Sequence, residues 1–160
     1  MIVRRLRAFL KKPLGTKLLL LEAFLFLGWA RFLKLLPFSR VSPSLGTLQT
    51  ETSWSCFTED EVTLRRVSRA VRTMSRYTWW ESKCLVMAIA AMKMLQRRGI
   101  DSTLYLGTAK DEEGRMIAHA WLRSGPYYLT GAEEMAAFTV VSRFGRFTNG
   151  RHSQRRPQNG

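Results

Sequence analysis

The sequence predicts an α+β fold, in which a layer of helices lies on a small antiparallel sheet. Apolar residues recur at helical spacing up to residue 98, and four short strand-like segments separated by turn residues follow. Helices followed by strands in this order are typical of the class. The chain has 160 residues, of which 46% are hydrophobic and 24% charged, and this suits one folded domain with a small appendage.

The first 55 residues predict a helical appendage and a linker. Residues 1–12 predict a short basic helix and residues 16–36 a strongly apolar one, and each is ended by a proline. Residues 37–55 are rich in serine, threonine and proline and predict a linker. The apolar run over 18–30 is shorter than the roughly 20 residues of a spanning helix, and its exit does not fit a signal-peptide cleavage site. We expect burial against a second element, with docking on a partner or a membrane surface as the alternative.

A helix is predicted from Thr58 to about Tyr77, because Thr58 and Glu61 fit a capping box. It carries two stripes of side chains. The apolar stripe comprises Leu64, Val67, Val71 and Met74, and the basic stripe comprises Arg65, Arg69, Arg72 and Arg76. The basic stripe is either a solvated face or a docking face for an acidic peptide or partner.

The strongest helix is predicted over residues 82–98, which are rich in alanine, methionine and leucine. Basic residues in its last turn and Gly99 just after it are the expected C-terminal signals. Strands are predicted at 103–107, 115–123, 127–130 and 138–144.

Charge and cysteine content exclude several classes of function. Residues 1–40 carry nine basic residues against one acidic, residues 41–144 thirteen against eleven, and residues 145–160 four against none. A near-neutral middle between basic ends argues against a uniformly basic nucleic-acid binder. Two cysteines and two histidines without metal-ligand spacing argue against a structural zinc site and a disulfide framework. We expect no metal and no organic cofactor.

Cys84 is the first candidate for chemistry. It lies in the first turn of the strongest predicted helix, where unpaired backbone N–H groups and the positive end of the helix dipole favour a thiolate. Lys83 adds a neighbouring positive charge. A small buried apolar residue is the alternative interpretation, and for Cys56 that structural interpretation is favoured.

His119 is the second candidate and lies in the middle of a predicted strand. Alternation places Met116, Ala118, Ala120 and Leu122 on a face that suits the core, and Ile117, His119, Trp121 and Arg123 on the other face. A cysteine at a helix start with a histidine on a later strand is the arrangement of cysteine peptidases and transglutaminase-like enzymes. The only other histidine, His152, lies in the predicted tail and is a poor base.

Four segments in this order carry a resemblance to a known family. The segments are Trp-Glu-Ser-Lys-Cys-Leu at 80–85, Ala-Ala-Met-Lys-Met-Leu-Gln-Arg-Arg-Gly-Ile at 90–100, Leu-Tyr-Leu-Gly at 104–107 and Ala-His-Ala-Trp-Leu at 118–122. With them the chain, from residue 1 to about 145, resembles the transglutaminase-like leader peptidases of lasso-peptide maturation. The N-terminal helices suit the split form, in which a separate small protein recognises the leader.

The resemblance implies that Cys84 is the nucleophile and His119 the general base. Members of that family often have an aspartate after the histidine strand, and this sequence has Thr130 near that place. We expect Thr130 to accept the imidazole N–H, with a backbone carbonyl, Glu133 or Glu134 as alternatives.

The oxyanion of the reaction needs hydrogen-bond donors at a fixed place. We expect the backbone N–H of Cys84 to be the first donor. The indole N–H of Trp79 or Trp80 is a candidate for the second, and plain packing is the alternative for both tryptophans.

The resemblance implies a bacterial, cytoplasmic cysteine peptidase that removes the leader from a lasso precursor. Its expected partners are the precursor, a small leader-recognition protein and the lasso cyclase, with no nucleic acid; weak membrane association through residues 1–36 is an alternative. We divide the chain into a helical appendage and linker over 1–55, a peptidase domain over 56–145 and a basic flexible tail over 146–160. The alternative functions are transglutamination or amide hydrolysis by the same pair, or a non-catalytic module that binds a membrane or partner.

Overall fold

The computed structural model describes residues 12–80 and 83–148. Residues 1–11 of the predicted N-terminal helix and most of the predicted tail therefore lie outside the described residues. The helices are α1 (Leu14–Leu33), α2 (Phe38–Leu45), α3 (Thr58–Ser75) and α4 (Cys84–Gln96), and the strands are β1 (Thr47–Leu48), β2 (Ser102–Lys110), β3 (Met116–Ser124), β4 (Tyr127–Thr130) and β5 (Thr139–Arg146). A 3-10 turn, Met135–Ala137, precedes β5.

The strands form one antiparallel sheet in the order β1-β5-β2-β3-β4. In this register Gly107 of β2 lies opposite His119 of β3. The pairing of β2 with β5 shifts between Leu106 and Gly107, so the sheet has an irregularity beside the histidine. The predicted α+β class is confirmed.

The helices lie on one face of the sheet and share a single hydrophobic core with it. Helix α4 is central, because it contacts α1, α3 and three strands and buries eight of its side chains. Helix α1 contributes Leu20, Ala23, Leu27 and Ala30 to the same core. The boundary predicted at residue 55 therefore does not separate two cores among the described residues.

Helix α1 has a second, exposed apolar face. Its Glu22 pairs with Arg98 after α4, through two hydrogen bonds of 2.6 and 3.0 Å, which fix the helix against α4. The exposed apolar stripe of α1 comprises Leu14, Leu18, Leu21, Leu25, Trp29 and Phe32. Within the described residues no helix meets the length and hydropathy needed to cross a bilayer.

The predicted linker over 37–55 contains a helix, α2, and a short strand, β1, that its composition did not predict. Helix α2 forms despite Pro43 because Val41 and Leu45 are buried on one side of it, and β1 pairs with the end of β5. The predicted capping box is also absent: helix α3 begins after Phe57 without a side-chain cap, and Glu61 binds Arg65 at 2.5 Å instead.

Arg123 ties the segment between β1 and α3 to the sheet. Its side chain is fully buried and donates to the carbonyls of Thr52 (2.9 Å), Ser53 (3.0 Å) and Gly125 (2.8 Å). Its guanidinium also lies 3.8 Å from the ring centroid of Trp54. A buried cation is tolerated where its donors are satisfied in this way.

The face of β3 that was predicted to be in the core is buried only along half of the strand. Ala120 and Leu122 are buried, whereas Met116 and Ala118 are exposed. The exposed start of β3, at Ile117 and Ala118, borders a cavity that His119 also lines.

Candidate active site

Cys84 is the first residue of α4, which places it at the positive end of the helix dipole. The backbone N–H groups of this first turn have no intrahelical acceptor, because helical hydrogen bonding begins with Met87, which donates to Lys83 at 3.1 Å. The position is therefore suited both to a thiolate and to an oxyanion formed next to it.

His119 lies in β3 with only 7% of its surface exposed. Its Nε2 lies 2.8 Å from the carbonyl oxygen of Gly131. The ring stacks on Trp121, with centroids 5.8 Å apart, and contacts Phe138 at 5.0 Å. One hydrogen bond and two aromatic contacts thus fix the position and the tilt of the imidazole.

The hydrogen bond to Gly131 also determines the tautomer of neutral His119. A carbonyl oxygen can only accept, so Nε2 must carry the proton and Nδ1 must carry the lone pair. Nδ1 is therefore the nitrogen that can act as a base. The nearest carboxylate oxygen recorded for Nδ1 is Oε2 of Glu134, at 3.7 Å.

Gly131 is required at its position for two reasons. Its φ is +73°, which side chains rarely adopt, and an added Cβ would lie 2.5 Å from the carbonyl oxygen of Ala120 and 3.1 Å from Nε2 of His119. Gly107, opposite His119, is similarly constrained, because a Cβ there would lie 2.9 Å from the ring of Trp121. Both glycines leave space for the rings that hold the base.

Three residues were candidates for the third member of the site, and the structure places them differently. Thr130 Oγ1 is buried and has no hydrogen-bond partner among the described atoms, so it does not orient His119. A backbone carbonyl was the alternative acceptor, and the structure identifies it as that of Gly131. Glu133 forms an ion pair with Arg72. Its own backbone N–H and Arg72 lower the pKa of Glu133. Glu134, whose side chain is 73% exposed, faces Nδ1.

Cys84 and His119 line one cavity of about 680 Å³. Thr130, Gly131, Glu133 and Glu134 line it too, so the structure brings most of the predicted site residues together. Among the described residues no hydrogen bond joins Sγ of Cys84 to the imidazole. Such bonds are often long before substrate closes the site.

Trp80 does not lie at this cavity. Its ring packs on Phe24, with centroids 5.2 Å apart, and its edge meets Gly28 of α1. The indole Nε1 is buried without a partner among the described atoms. Trp79 is exposed and contacts Trp80 edge-on. We therefore assign neither tryptophan a role in binding the oxyanion.

The second cysteine lies elsewhere. Cys56 packs against Gly125 in the turn between β3 and β4, where an added Cβ would lie 2.6 Å from that of Cys56. Burial, Asp60 and Glu61 raise the pKa of the Cys56 thiol, which disfavours its thiolate. His152 lies outside the described residues. No cluster of possible metal ligands is found in the described part of the chain.

Two features of the site were missed by sequence reasoning. The row of stacked rings from Tyr105 through Trp121 to His119 was not predicted, although strand alternation had placed Trp121 and His119 on one face. Arg72 was assigned to a stripe on the helix, and nothing in the local pattern indicated that it reaches Leu129 and Glu133 across the site.

Comparison with known proteins gives a family for the chain. A family model described as the transglutaminase-like superfamily matches residues 25–143. This range begins within α1 and includes both Cys84 and His119. No curated protein and no solved structure matches the chain.

Proposed function

The chain belongs to the transglutaminase-like superfamily, and we propose that it is a cysteine peptidase that removes the leader from a lasso-peptide precursor. The superfamily includes cysteine proteases and acyl-transferases. The observation that carries the proposal is the shared cavity, in which Cys84 begins a helix and His119 is held by Gly131 with Nδ1 as its basic nitrogen.

Cys84 and His119 supply the acylation step. Nδ1 of His119 takes the proton of the Cys84 thiol, and the thiolate attacks the scissile carbonyl carbon to form a C–S bond. The carbonyl oxygen takes the negative charge and accepts from the backbone N–H of Cys84. Collapse breaks the C–N bond, the imidazolium gives its proton to the leaving amine, and a thioester remains on Cys84.

The same two residues supply the second step. Nδ1 takes a proton from water, whose oxygen attacks the thioester carbon. The C–S bond then breaks, the imidazolium returns the proton to the Cys84 sulfur, and a carboxylic acid is released. The charged imidazole in both steps has Glu134 as its nearest carboxylate, and the Gly131 carbonyl holds its other N–H.

The proposed partners follow from the resemblance and are supported by the surface of α1. The exposed apolar stripe of α1 repeats every three or four residues over the length of the helix, which suits contact with another protein element. We place the leader-recognition protein there, with the precursor reaching Cys84 from it. The lasso cyclase then acts on the released core peptide.

Co-incubation with a candidate precursor and its recognition protein, analysed by mass spectrometry, tests this function. We expect two products, the leader and the core peptide, whose masses sum to that of the precursor plus one water, and no products with Cys84→Ala. Cys56→Ala is the matched control and should process the precursor like the parent. Cleavage by Cys84→Ala at more than a few per cent of the parent rate would contradict the assignment.

A further inference from the structure

A second cavity, of about 480 Å³, lies between α3 and the edge strand β4. We propose that it binds an acidic stretch of the peptide substrate and leads it to Cys84; the proposal rests on the peptidase function proposed above. We name this cavity the arginine groove. Its walls include Arg65, Arg69, Arg72 and Arg76 from α3 and Tyr127 and Tyr128 from β4.

The arginine groove adjoins the cavity of the candidate active site. Arg72 and Arg76 line both of them. A chain that occupies the groove therefore ends next to the cavity that contains Cys84 and His119. This adjacency distinguishes the groove from an ordinary solvated basic face.

The charge of the arginine groove selects the occupant. Its four arginines recur at intervals of four, three and four residues and so share one side of α3. Arg65 is paired with Glu61, and Arg72 is paired with Glu133. The exposed Arg69 and Arg76 are therefore the arginines that carry most of the binding to an acidic ligand. Guanidinium groups bind carboxylates in pairs of parallel hydrogen bonds, so aspartate and glutamate side chains suit this wall.

The length of the groove sets how many substrate residues it addresses. Arg65 and Arg76 are eleven positions apart, which is about 16 Å along a helix. An extended chain covers that length with about five residues. We therefore place the acidic residues within about five positions of the substrate residues that enter the active-site cavity.

Binding is tested with the full-length Cys84→Ala protein, which cannot turn the peptide over. The probe is a short extended peptide with glutamates at alternate positions and an uncharged fluorophore, compared with a twin that carries glutamines. An exposed ion pair changes Kd by about two- to fivefold, so several together should favour the glutamate peptide by about tenfold. Salt should reduce the preference. Equal Kd values for the two peptides would overturn the proposal.

Two arginines of α3 provide a matched pair of variants. Arg69 lines the arginine groove, whereas Arg66 lines a different cavity, beside Gly15 and Leu18 of α1. Both are exposed, and charge reversal changes the net charge equally. We expect Arg69→Glu to remove most of the glutamate preference and Arg66→Glu to retain it. If both variants lost the glutamate preference equally, only the overall charge of the protein would matter, and the proposed groove site would be wrong.

The proximity of the arginine groove to the active-site cavity is tested by alkylation of Cys84. In the parent protein, the glutamate peptide at saturation should slow iodoacetamide alkylation of Cys84 and leave that of Cys56 unchanged. Unchanged alkylation of Cys84 with peptide bound would contradict the shared path. Tighter binding of a single-stranded oligonucleotide of equal charge would assign the groove to nucleic acid and overturn the proposal.

The two proposals fail in different experiments. Loss of the glutamate preference would leave Cys84-dependent cleavage of the precursor as it is, so only the groove would fall. Cleavage that survives in Cys84→Ala would remove the peptidase function. The groove would then still bind the acidic peptide, but this binding would no longer be interpreted as delivery of a substrate to Cys84.

Discussion

His119 is oriented by a backbone carbonyl, and this distinguishes the site from one completed by a carboxylate. An uncharged acceptor fixes the ring but stabilises the imidazolium less than a carboxylate does. Glu134, 3.7 Å from Nδ1, is the carboxylate that the structure places near the ring, and it is largely exposed. The carbonyl of Gly131 thus orients the imidazole, whereas Glu134 is the group placed to stabilise its positive charge.

This division of roles predicts how substitutions at and around His119 affect catalysis. His119→Ala should lower kcat by about 10²–10⁴-fold, since general-base catalysis is worth that much. Thr130→Val should change kcat little, because Thr130 Oγ1 makes no hydrogen bond to a described atom. Steady-state kinetics on precursor cleavage measure both. A loss in Thr130→Val or in Glu134→Gln as large as that of His119→Ala would show that a side chain completes the triad.

Gly131→Ala should disturb the site through the backbone. The added methyl meets the carbonyl of Ala120 and Nε2 of His119, so the ring must move. We expect a loss of about 1–3 kcal/mol in stability and a fall in kcat at temperatures where the variant is folded. Gly114→Ala is the matched control, because φ is +77° there and the added Cβ contacts nothing within 4 Å. Equal kcat values for these two variants would contradict the role of Gly131.

Glu133 should contribute to acid sensitivity. Its pKa is lowered in the folded state by its own N–H and Arg72, so its stabilisation is present above the unfolded pKa and is lost as pH falls through the folded pKa. Glu133→Gln should therefore lower the free energy of unfolding at pH 7 by no more than about 1 kcal/mol, since the pair is exposed. In urea titrations this difference should shrink as the pH falls below the usual glutamate pKa. A difference that grows on acidification would reverse the sign of the argument.

At the scale of the elements, local patterns predicted most of the fold. Helix α4 and strand β4 were located within two residues of their bounds, because alanine, methionine and leucine at helical spacing and paired turn residues are local signals. Helix α2 was missed because prolines and serines hide its two buried residues, Val41 and Leu45. Cys84 and His119 were singled out from their places in predicted elements.

Contacts between distant parts of the chain were beyond local reasoning. The hydrogen bond from His119 to the carbonyl of Gly131 depends on how β4 ends, and the buried donors of Arg123 depend on the path of residues 51–54. Neither is encoded in a spacing pattern. Thr130 was preferred over its neighbour because a hydroxyl is visible in a sequence and the direction of a carbonyl is not.

We predict that the exposed face of helix α1 binds the leader-recognition protein. Deleting the helix would not test this prediction. Leu27 is fully buried, and truncating such a side chain alone costs about 2–5 kcal/mol, so deletion of the helix would unfold the core. The exposed pair Leu25→Gln and Phe32→Gln should leave the melting temperature nearly unchanged. It should slow precursor processing when the recognition protein is limiting. Unchanged processing, or flotation of the parent with liposomes in excess partner, would contradict docking of that protein.

At the scale of the whole molecule, one core supports both members of the pair. Helix α4 carries Cys84, and it packs on β3, which carries His119. The start of α4 and the exposed start of β3 leave an opening between them, and Arg72 and Arg76 also line it. The proximity of Cys84 and His119 is therefore a consequence of how the helical layer meets the sheet.

The central claim is that Cys84 is a nucleophile activated by its place at the start of α4 and by His119. The most direct measurement is the rate of iodoacetamide alkylation of each cysteine at neutral pH, followed by peptide mapping of the parent and of His119→Ala. We predict that Cys84 reacts much faster than Cys56, whose thiolate is disfavoured, and that His119→Ala slows Cys84 alone. Reaction of Cys56 as fast as Cys84, or a Cys84 rate unchanged in His119→Ala, would contradict the account.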